Sequence, residues 1–114
     1  MSYVDGFVIP VPKKNIKAYR KMAAMGKKAW LKHGALDYKE CVGDDLAAKW
    51  GMPFTRLLKL KPGETAVFSY IVFKSRAHRD RVNAKVMKDM GNVPMDMPFD
   101  MKRMAYGGFK TIVE

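Results

Sequence analysis

Two carboxylates lie in segments whose alternating pattern predicts β-strands, Asp5 in the first strand and Glu40 in the second. A carboxylate at such a position is partly buried and needs a polar partner, and it can also bind a ligand or transfer a proton. Arg103, in the predicted last strand, is expected beside Asp5, because the expected strand order places the first strand between the third and the last. A structural ion pair and a functional carboxylate both remain open.

Aromatic side chains near these carboxylates could form the walls of a cleft. Tyr38 precedes Glu40 by two positions, Trp50 follows the second strand, and Tyr106 lies in the predicted last strand. Small-molecule sites combine apolar walls with a few polar groups, although such aromatic residues also form ordinary cores. The predicted ligand-binding residues are Asp5, Tyr38, Glu40, Trp50 and Arg103.

Metal chemistry and nucleophilic catalysis find little support in the sequence. Cys41 is the single cysteine, and His33 and His78 are the two histidines, without the spacing of metal ligands. Cys41 is predicted to be a buried, unreactive thiol. Ser69 lies in mid-strand without the glycine-rich turn of a hydrolase nucleophile. We therefore expect no metal and no cofactor, and we assign no catalytic residue.

The chain of 114 residues carries 22 Lys and Arg against 11 Asp and Glu, a formal net charge of +11. Such an excess is typical either of a well-solvated surface or of a protein that attracts an anionic partner. Many of the basic residues fall on one predicted helix or directly before it, and most could form its outer face. These are Lys13, Lys14, Lys17, Arg20, Lys21, Lys27, Lys28 and Lys32.

The positive charge is compatible with binding of nucleic acid, but the sequence motifs do not favour that partner. An RNA-recognition domain has the same strand order and carries an aromatic signature on its third strand. The third strand here, 65–73, lacks that signature, and the similar YGGF at 106–109 lies on the last strand.

The cellular setting is predicted to be the cytoplasm. A single cysteine cannot form an internal disulfide, which suits a reducing compartment. The first residues lack the pattern of a secretory signal, and no apolar run approaches the roughly 20 residues that span a bilayer. We therefore expect no membrane partner.

The elements that must position these residues follow in the order strand, helix, strand, strand, helix, strand. Strands are predicted at 3–11, 35–42, 65–73 and 102–113, and helices at 15–33 and 75–90. Asn15 and Ser75 are the predicted N-caps. Residues 46–60 are predicted to be irregular with a short helix near 54–58, and 91–100 is a predicted loop that holds Pro94 and Pro98.

This order is the split βαβ pattern of an α+β, ferredoxin-like βαββαβ domain spanning residues 1–114. A four-stranded antiparallel sheet then has two helices on one face. The other face would carry Phe7, Ile9 and Ile71 or their neighbours, depending on register. Because a bare apolar face of that size needs a cover, and twofold pairing is the commonest assembly, we predict a homodimer.

Several stretches, in this order and spacing, resemble the YbaA-like family of small bacterial proteins, a domain family of unknown function. They are YVDGFV at 3–8, HGA at 33–35, ECVGDD at 40–45, VFS at 67–69, FKS at 73–75, MPFD at 97–100, KRM at 102–104 and YGGF at 106–109. The resemblance implies the dimeric α/β-barrel superfamily, in which two ferredoxin-like subunits join their sheets. Relatives there include cofactor-free monooxygenases, isomerases, haem enzymes and stress proteins, and the family supplies no catalytic residues.

The sequence thus predicts a cytoplasmic homodimer that binds a small organic ligand and leaves open whether it is an enzyme. A cofactor-independent monooxygenase or isomerase is the catalytic form of this prediction. The alternative is a non-enzymatic interaction protein that uses its basic helix face to bind an anionic partner such as nucleic acid.

Overall fold

The computed structural model describes residues 1–91 and 96–114, and within them the predicted order of elements is confirmed. The strands are β1 (Tyr3–Pro12), β2 (Asp37–Val42), β3 (Glu64–Phe73) and β4 (Ala105–Lys110). The helices are α1 (Ile16–Lys32), α2 (Phe54–Leu57) and α3 (Arg76–Met90). Pro94, in the predicted loop, lies outside the described residues.

The four strands form one antiparallel sheet in the order β2-β3-β1-β4, as predicted. In β1, Asp5 lies opposite Ile71 of β3 on one side and Gly108 of β4 on the other. In β2, Tyr38 also lies opposite Ile71. Asp5 and Tyr38 therefore belong to one row across the sheet, and their side chains project from the same face.

Helix α1 buries one face against this sheet. Tyr19, Ala23 and Gly26 are its buried residues, at the spacing of three and four that one helix face requires. Gly34 ends the helix with a φ of 111°, a conformation that suits glycine. Asn15 precedes the helix, but its side-chain amide donates to the carbonyl of Pro98 at 2.9 Å and does not cap it.

Helix α3 packs beside α1 on the same face of the sheet. Ser75 caps it as predicted, because the Ser75 hydroxyl accepts a hydrogen bond from the His78 backbone N–H at 3.1 Å. Val82 and Val86 are its buried apolar residues. Helices α1 and α3 therefore cover the same face of the sheet.

The helix-covered face holds the core as two clusters of buried residues. One cluster centres on β3 and α3, and the other on β1 and α1. Phe7, Ile9 and Ile71 belong to this face, so of the two alternatives that the sequence left open, the strand neighbours of these residues lie on the open face. The clusters are Ala35, Tyr38, Ile71, Phe73, Val82 and Val86, and Ile9, Val11, Tyr19, Ala23 and Val67.

The open face is apolar along its middle strands. Val4 and Val8 of β1 lie opposite Val72 and Phe68 of β3, and Phe68 is 48% exposed. Phe109 of β4, opposite Val4, is also exposed. We call Val4, Val8, Phe68, Tyr70, Val72 and Phe109 the open-face patch.

Cys41 also lies on this open face, opposite Phe68, and its thiol is exposed. The prediction of a buried thiol is therefore wrong for the subunit. The reason is that Cys41 lies on the edge strand β2, on the face of the sheet away from α1 and α3.

Two strands differ from their predicted ranges by two residues or more. The last strand begins at Ala105 and not at residue 102, because a one-turn 3-10 helix, Met101–Arg103, precedes it, and it ends at Lys110 and not at residue 113. The second strand begins at Asp37 and not at residue 35. The short helix expected near 54–58 is confirmed as α2. None of the helices among the described residues is long and apolar enough to cross a membrane.

Candidate ligand-binding cavity

A cavity of about 480 Å³ lies between the two core clusters. Its floor is the helix-covered face of the sheet, with Ile9, Ser69 and Ile71 among the contributing residues. Helices α1 and α3 supply its walls, together with the segment 97–104. A volume of this size is in the range of pockets for small organic ligands, about 300–1,000 Å³.

Most of the lining is apolar, with rings and thioethers in the majority. Methionine side chains are flexible and polarisable, so they adapt to ligands of irregular shape. The aromatic lining residues are Phe7, Tyr19, Trp30, Tyr38, Phe99 and Tyr106, and the methionines are Met22, Met87, Met90, Met97, Met101 and Met104.

Asp5 is the most buried of the charged residues that line the cavity, with 1% of its surface exposed. Its Oδ1 accepts a hydrogen bond from Arg79 Nη1 at 2.7 Å, and its Oδ2 accepts one from Asn83 Nδ2 at 3.3 Å. The guanidinium neutralises the carboxylate, and both of its oxygens have a donor within the protein.

The partners of Asp5 extend this arrangement in two directions. Asn83 accepts a hydrogen bond at its Oδ1 from Trp30 Nε1 at 2.9 Å. Arg79 Nη1 also donates to the Tyr106 hydroxyl at 2.9 Å, and its guanidinium lies 5.0 Å from the centre of the Tyr3 ring. The result is a connected polar network from α1 through α3 and β1 to β4, in which Asp5 holds elements together.

Glu40 is bound in a different way. Its Oε1 accepts a hydrogen bond from the Tyr19 hydroxyl and its Oε2 accepts one from the Tyr38 hydroxyl, both at 2.7 Å. Acceptance at both oxygens is the pattern of an ionised carboxylate, which offers about four acceptor positions. Two neutral hydroxyls therefore hold Glu40, and acceptor positions remain for a ligand.

Gly26 in the middle of α1 makes room for this cluster. A Cβ at that position would lie 2.8 Å from the Tyr38 hydroxyl oxygen, closer than real side chains approach. Glycine inside a helix costs roughly 1 kcal/mol relative to alanine. The close approach of Tyr38, on its way to Glu40, gives a physical reason for glycine here.

Burial makes both tyrosine hydroxyls hard to ionise. Loss of solvent, together with the neighbouring Glu40 carboxylate, raises the pKa of Tyr19 and of Tyr38 well above the ordinary value of 10.0. Burial and the charge of Asp5 also raise the pKa of Tyr106, against the opposing effect of Arg79. Tyr19 and Tyr38 are therefore hydrogen-bond donors throughout the neutral range.

Asp5 and Glu40 are not a close pair. Asp5 lies in the row of Ile71, and Glu40 lies in the next row on the same face, opposite Ser69. Two strand spacings and a two-residue offset place their Cα atoms about 12 Å apart. Each carboxylate consequently has its own environment.

The predicted site residues divide into two groups. Asp5, Tyr38 and Glu40 line the cavity, whereas Trp50 and Arg103 do not. Trp50 is 92% exposed, in the excursion between β2 and β3. Arg103 lies in the 3-10 helix, donates to Glu64 at 2.6 Å and is not beside Asp5, so that predicted pair is wrong. The guanidinium that binds Asp5 comes from α3.

Sequence reasoning missed Arg79, Asn83 and Tyr19. A signal for the first two was present, since positions 79, 82, 83 and 86 share one helix face by their spacing. Val82 and Val86 mark that face as buried, so polar residues on it need buried partners. Tyr19 was identified as part of the apolar stripe of α1, but its hydroxyl partner Glu40 could not be read from the spacing.

An outer groove of about 560 Å³ runs between α1 and β2. Tyr19, Ala23, Tyr38 and Glu40 line both the groove and the cavity, so they form the wall between them. Three basic residues of α1 and β2 are also among the residues that line the groove: Arg20, Lys27 and Lys39. In the described part of the chain, no group of three or more His, Cys, Asp or Glu is arranged to hold a metal ion.

The chain is similar in sequence to a known protein family. Residues 2–101 match the family described as "Protein of unknown function (DUF1428)". The chain is 41% identical over 116 aligned residues to the uncharacterized protein YbaA of Escherichia coli K12, covering 100% of this chain and 99% of that protein. YbaA of Shigella flexneri matches with the same identity and coverage.

Among solved structures, a dimeric ferredoxin-like protein from an uncultured marine organism is similar over 100% of this chain and 99% of its own. The TM-score is 0.58 at 13% sequence identity. At that identity the likeness concerns the fold alone, and it agrees with the ferredoxin-like α+β architecture described above.

Proposed function

The chain belongs to the DUF1428 family, and we propose that it is a cytoplasmic homodimer in which each subunit binds a small organic ligand in the cavity. The observation that carries this proposal is the cavity of about 480 Å³ lined by rings, thioethers and two separately held carboxylates.

The cavity also suits a cofactor-independent enzyme. Such a function needs a group that can accept a proton from the bound ligand. Glu40 is the residue for this role, because its hydrogen bonds come from neutral hydroxyls. The Asp5 carboxylate is paired with the charged Arg79 guanidinium and also accepts a hydrogen bond from Asn83, so it is less able to accept a proton from the ligand.

A cavity-filling variant tests ligand binding. Ala23 is buried on α1 and lines the cavity, so Ala23→Phe should occupy part of the ligand volume. We expect the neutral aromatic probes indole and 2-naphthol to bind the natural protein in calorimetric titration, and to bind Ala23→Phe at least tenfold more weakly.

The matched control is Ala18→Phe, at an exposed position of the same helix that lines neither the cavity nor the groove. It should bind the probes as the natural protein does. Equal affinities for Ala23→Phe and the natural protein, with both folded by circular dichroism, would show that the probes do not bind in the cavity and would overturn the proposal.

The homodimer is supported by the open-face patch, which a second copy can cover. Phe68→Asp places a charge in the middle of that patch and should shift the protein to a monomer in sedimentation at micromolar concentration. Met25→Asp, at an exposed apolar position of α1 on the opposite side, is the control and should remain dimeric. A natural protein that sediments as a monomer would overturn this part of the proposal.

A second candidate function is binding of nucleic acid through α1. No acidic residue occurs between Asp5 and Asp37, whereas the basic residues named earlier for this segment are all exposed. Electrostatic binding to phosphates weakens steeply as salt rises. Affinity for a labelled 20-nucleotide RNA should therefore fall with salt and with Lys21→Glu/Lys28→Glu, but much less with Lys102→Glu/Lys110→Glu. No affinity at low salt would eliminate this candidate.

A further inference from the structure

The charge inside the cavity is opposite to that of the protein. Two carboxylates, Asp5 and Glu40, line the cavity, and no Lys, Arg or His is among its described lining residues. The chain as a whole carries 22 Lys and Arg against 11 Asp and Glu. Residues 92–95, outside the described part, are Asn, Val, Pro and Met and bring no ionisable side chain.

The negative charge of Asp5 is already balanced. Arg79 contacts it at 2.7 Å and does not itself line the cavity, so the pair presents little net charge to a ligand. Glu40 has no comparable counter-ion, since no basic side chain in the described part of the chain forms an ion pair with it. A ligand in the cavity therefore meets one unbalanced negative charge, that of the Glu40 carboxylate.

The basic residues of the outer groove do not replace such a counter-ion. Arg20, Lys27 and Lys39 are exposed, and Lys39 is bound to Asp37 at 2.9 Å. Exposed charges are screened by water and salt far more than buried ones. Lys39 also alternates with Tyr38 and Glu40 along β2, and its ammonium lies 5.9 Å from the centre of the Tyr70 ring on the open face.

Aromatic rings complete the environment around this carboxylate. Tyr19 and Tyr38 bond to Glu40 directly, and the Trp30 ring centre lies 6.0 Å from that of Tyr38. Ring faces attract cationic nitrogens within about 6 Å, most strongly where water is excluded. A carboxylate with free acceptor positions beside several rings is the chemistry that recognises an ammonium group.

We propose that the cavity selects ligands that carry a cationic nitrogen on an apolar body, with the nitrogen donating to Glu40 and the body lying among the rings and methionines. This inference rests on the proposed ligand-binding function and adds the substrate class. A buried cation without a counter-charge is strongly disfavoured, and Glu40 supplies that counter-charge. Anionic ligands of the same shape are excluded, because they would meet Glu40.

A matched set of probes tests the selectivity on the natural protein. The probes are 3-phenylpropylamine, 3-phenylpropanol and 3-phenylpropionate, which share the apolar body and differ in the charge of the terminal group. In calorimetric titration at pH 7 we expect the amine to bind at least tenfold more tightly than the alcohol. The carboxylate should bind most weakly, although the protein carries a net positive charge.

Variants locate the effect at Glu40. Glu40→Gln should weaken binding of the amine at least tenfold and change binding of the alcohol less than about threefold. Asp45→Asn makes the same change in net charge at an exposed position outside the cavity, and it should leave all three affinities unchanged.

The outcomes separate the two proposals. Equal affinity for amine and alcohol, with both weakened by Ala23→Phe, would overturn the charge selectivity and support the ligand-binding function. Tightest binding of the carboxylate would overturn the selectivity and point to the basic groove as an anion site. Absence of binding by all three probes at millimolar concentration would overturn both proposals.

Discussion

Asp5 and Glu40 project from the same face of the same sheet, yet their surroundings give them different roles. Asp5 is 1% exposed and is held by a guanidinium and an amide from α3. Glu40 is half-buried and is held by two tyrosine hydroxyls from α1 and its own strand. Here the partner of each carboxylate, more than its location in the sheet, decides whether it is available to a ligand.

The physical reason lies in the charge of the partner. A buried ion pair neutralises the carboxylate and engages its oxygens, so substitution at the pair should mainly change stability. Hydroxyl donors orient a carboxylate without removing its charge. The Asp5 region should therefore respond in stability measurements, and the Glu40 region in binding measurements.

The largest effect is expected from Arg79→Met, which removes the counter-charge of Asp5. An unpaired buried carboxylate should lower the free energy of unfolding by about 3–5 kcal/mol. Guanidinium denaturation at one fixed protein concentration measures this. Asp5→Asn/Arg79→Met removes both charges and should recover much of the loss. A loss below about 1 kcal/mol in the single variant would break the comparison, because Asp5 would then not depend on its ion pair.

The second-largest effect is expected at alkaline pH, which should lower the free energy of unfolding through the tyrosines beside Glu40. The pKa values of Tyr19 and Tyr38 are raised in the folded state, so the folded state keeps protons that the unfolded state releases above pH 10.0. Stability is complete below that pH and falls as pH rises above it, by up to about 1.4 kcal/mol per pH unit for each tyrosine. Denaturation between pH 9 and 11.5 measures the slope, which should be shallower in Tyr38→Phe. An unchanged slope in that variant would contradict the assignment.

A smaller effect on stability is expected from Glu40→Gln. The amide keeps one acceptor, and a tyrosine hydroxyl can rotate to accept from its NH₂ group. The free energy of unfolding should fall by about 0.5–1.5 kcal/mol, as for one ordinary hydrogen bond. The same denaturation measurement applies, with Asp45→Asn as the exposed control. A loss as large as that of Arg79→Met would show that both carboxylates are structural.

The smallest effect concerns a third carboxylate, Glu64, outside the cavity. The hydrogen bond from Arg103 is the main cause that lowers its pKa below the ordinary 4.5. Its contribution to stability is therefore complete above about pH 4.5 and is lost as pH falls below that value. Glu64→Gln should flatten the acid limb of the stability curve and leave ligand binding unchanged. A changed affinity for the aromatic probes would connect this pair to the cavity.

How far the sequence could predict the site depends on the kind of contact involved. Tyr38 and Glu40 share one strand two positions apart, so their common face follows from alternation alone. Trp50 offered no such signal, because the segment around it has no regular period and leaves the ring 92% exposed. Arg103 was misplaced because the last strand begins two residues after it.

The open face gives the same lesson for the fold. Alternation correctly grouped Phe7 and Ile9 on one face of β1, but it could not say which face the helices cover. The buried side of α3, with Val82 and Val86, packs on the face of Phe73 and Ile71, and that packing decides the matter.

The order of the elements, the antiparallel arrangement of the strands and the central place of β3 could be predicted from the residues, because periodicity and turn residues act over short stretches of chain. The partner of each buried charge could not be predicted, because it depends on the tertiary structure. Arg79 and Asn83 reach Asp5 from 74 and 78 positions away. Which side chains meet over such separations in sequence depends on strand register and helix rotation, and local spacing does not determine either of them.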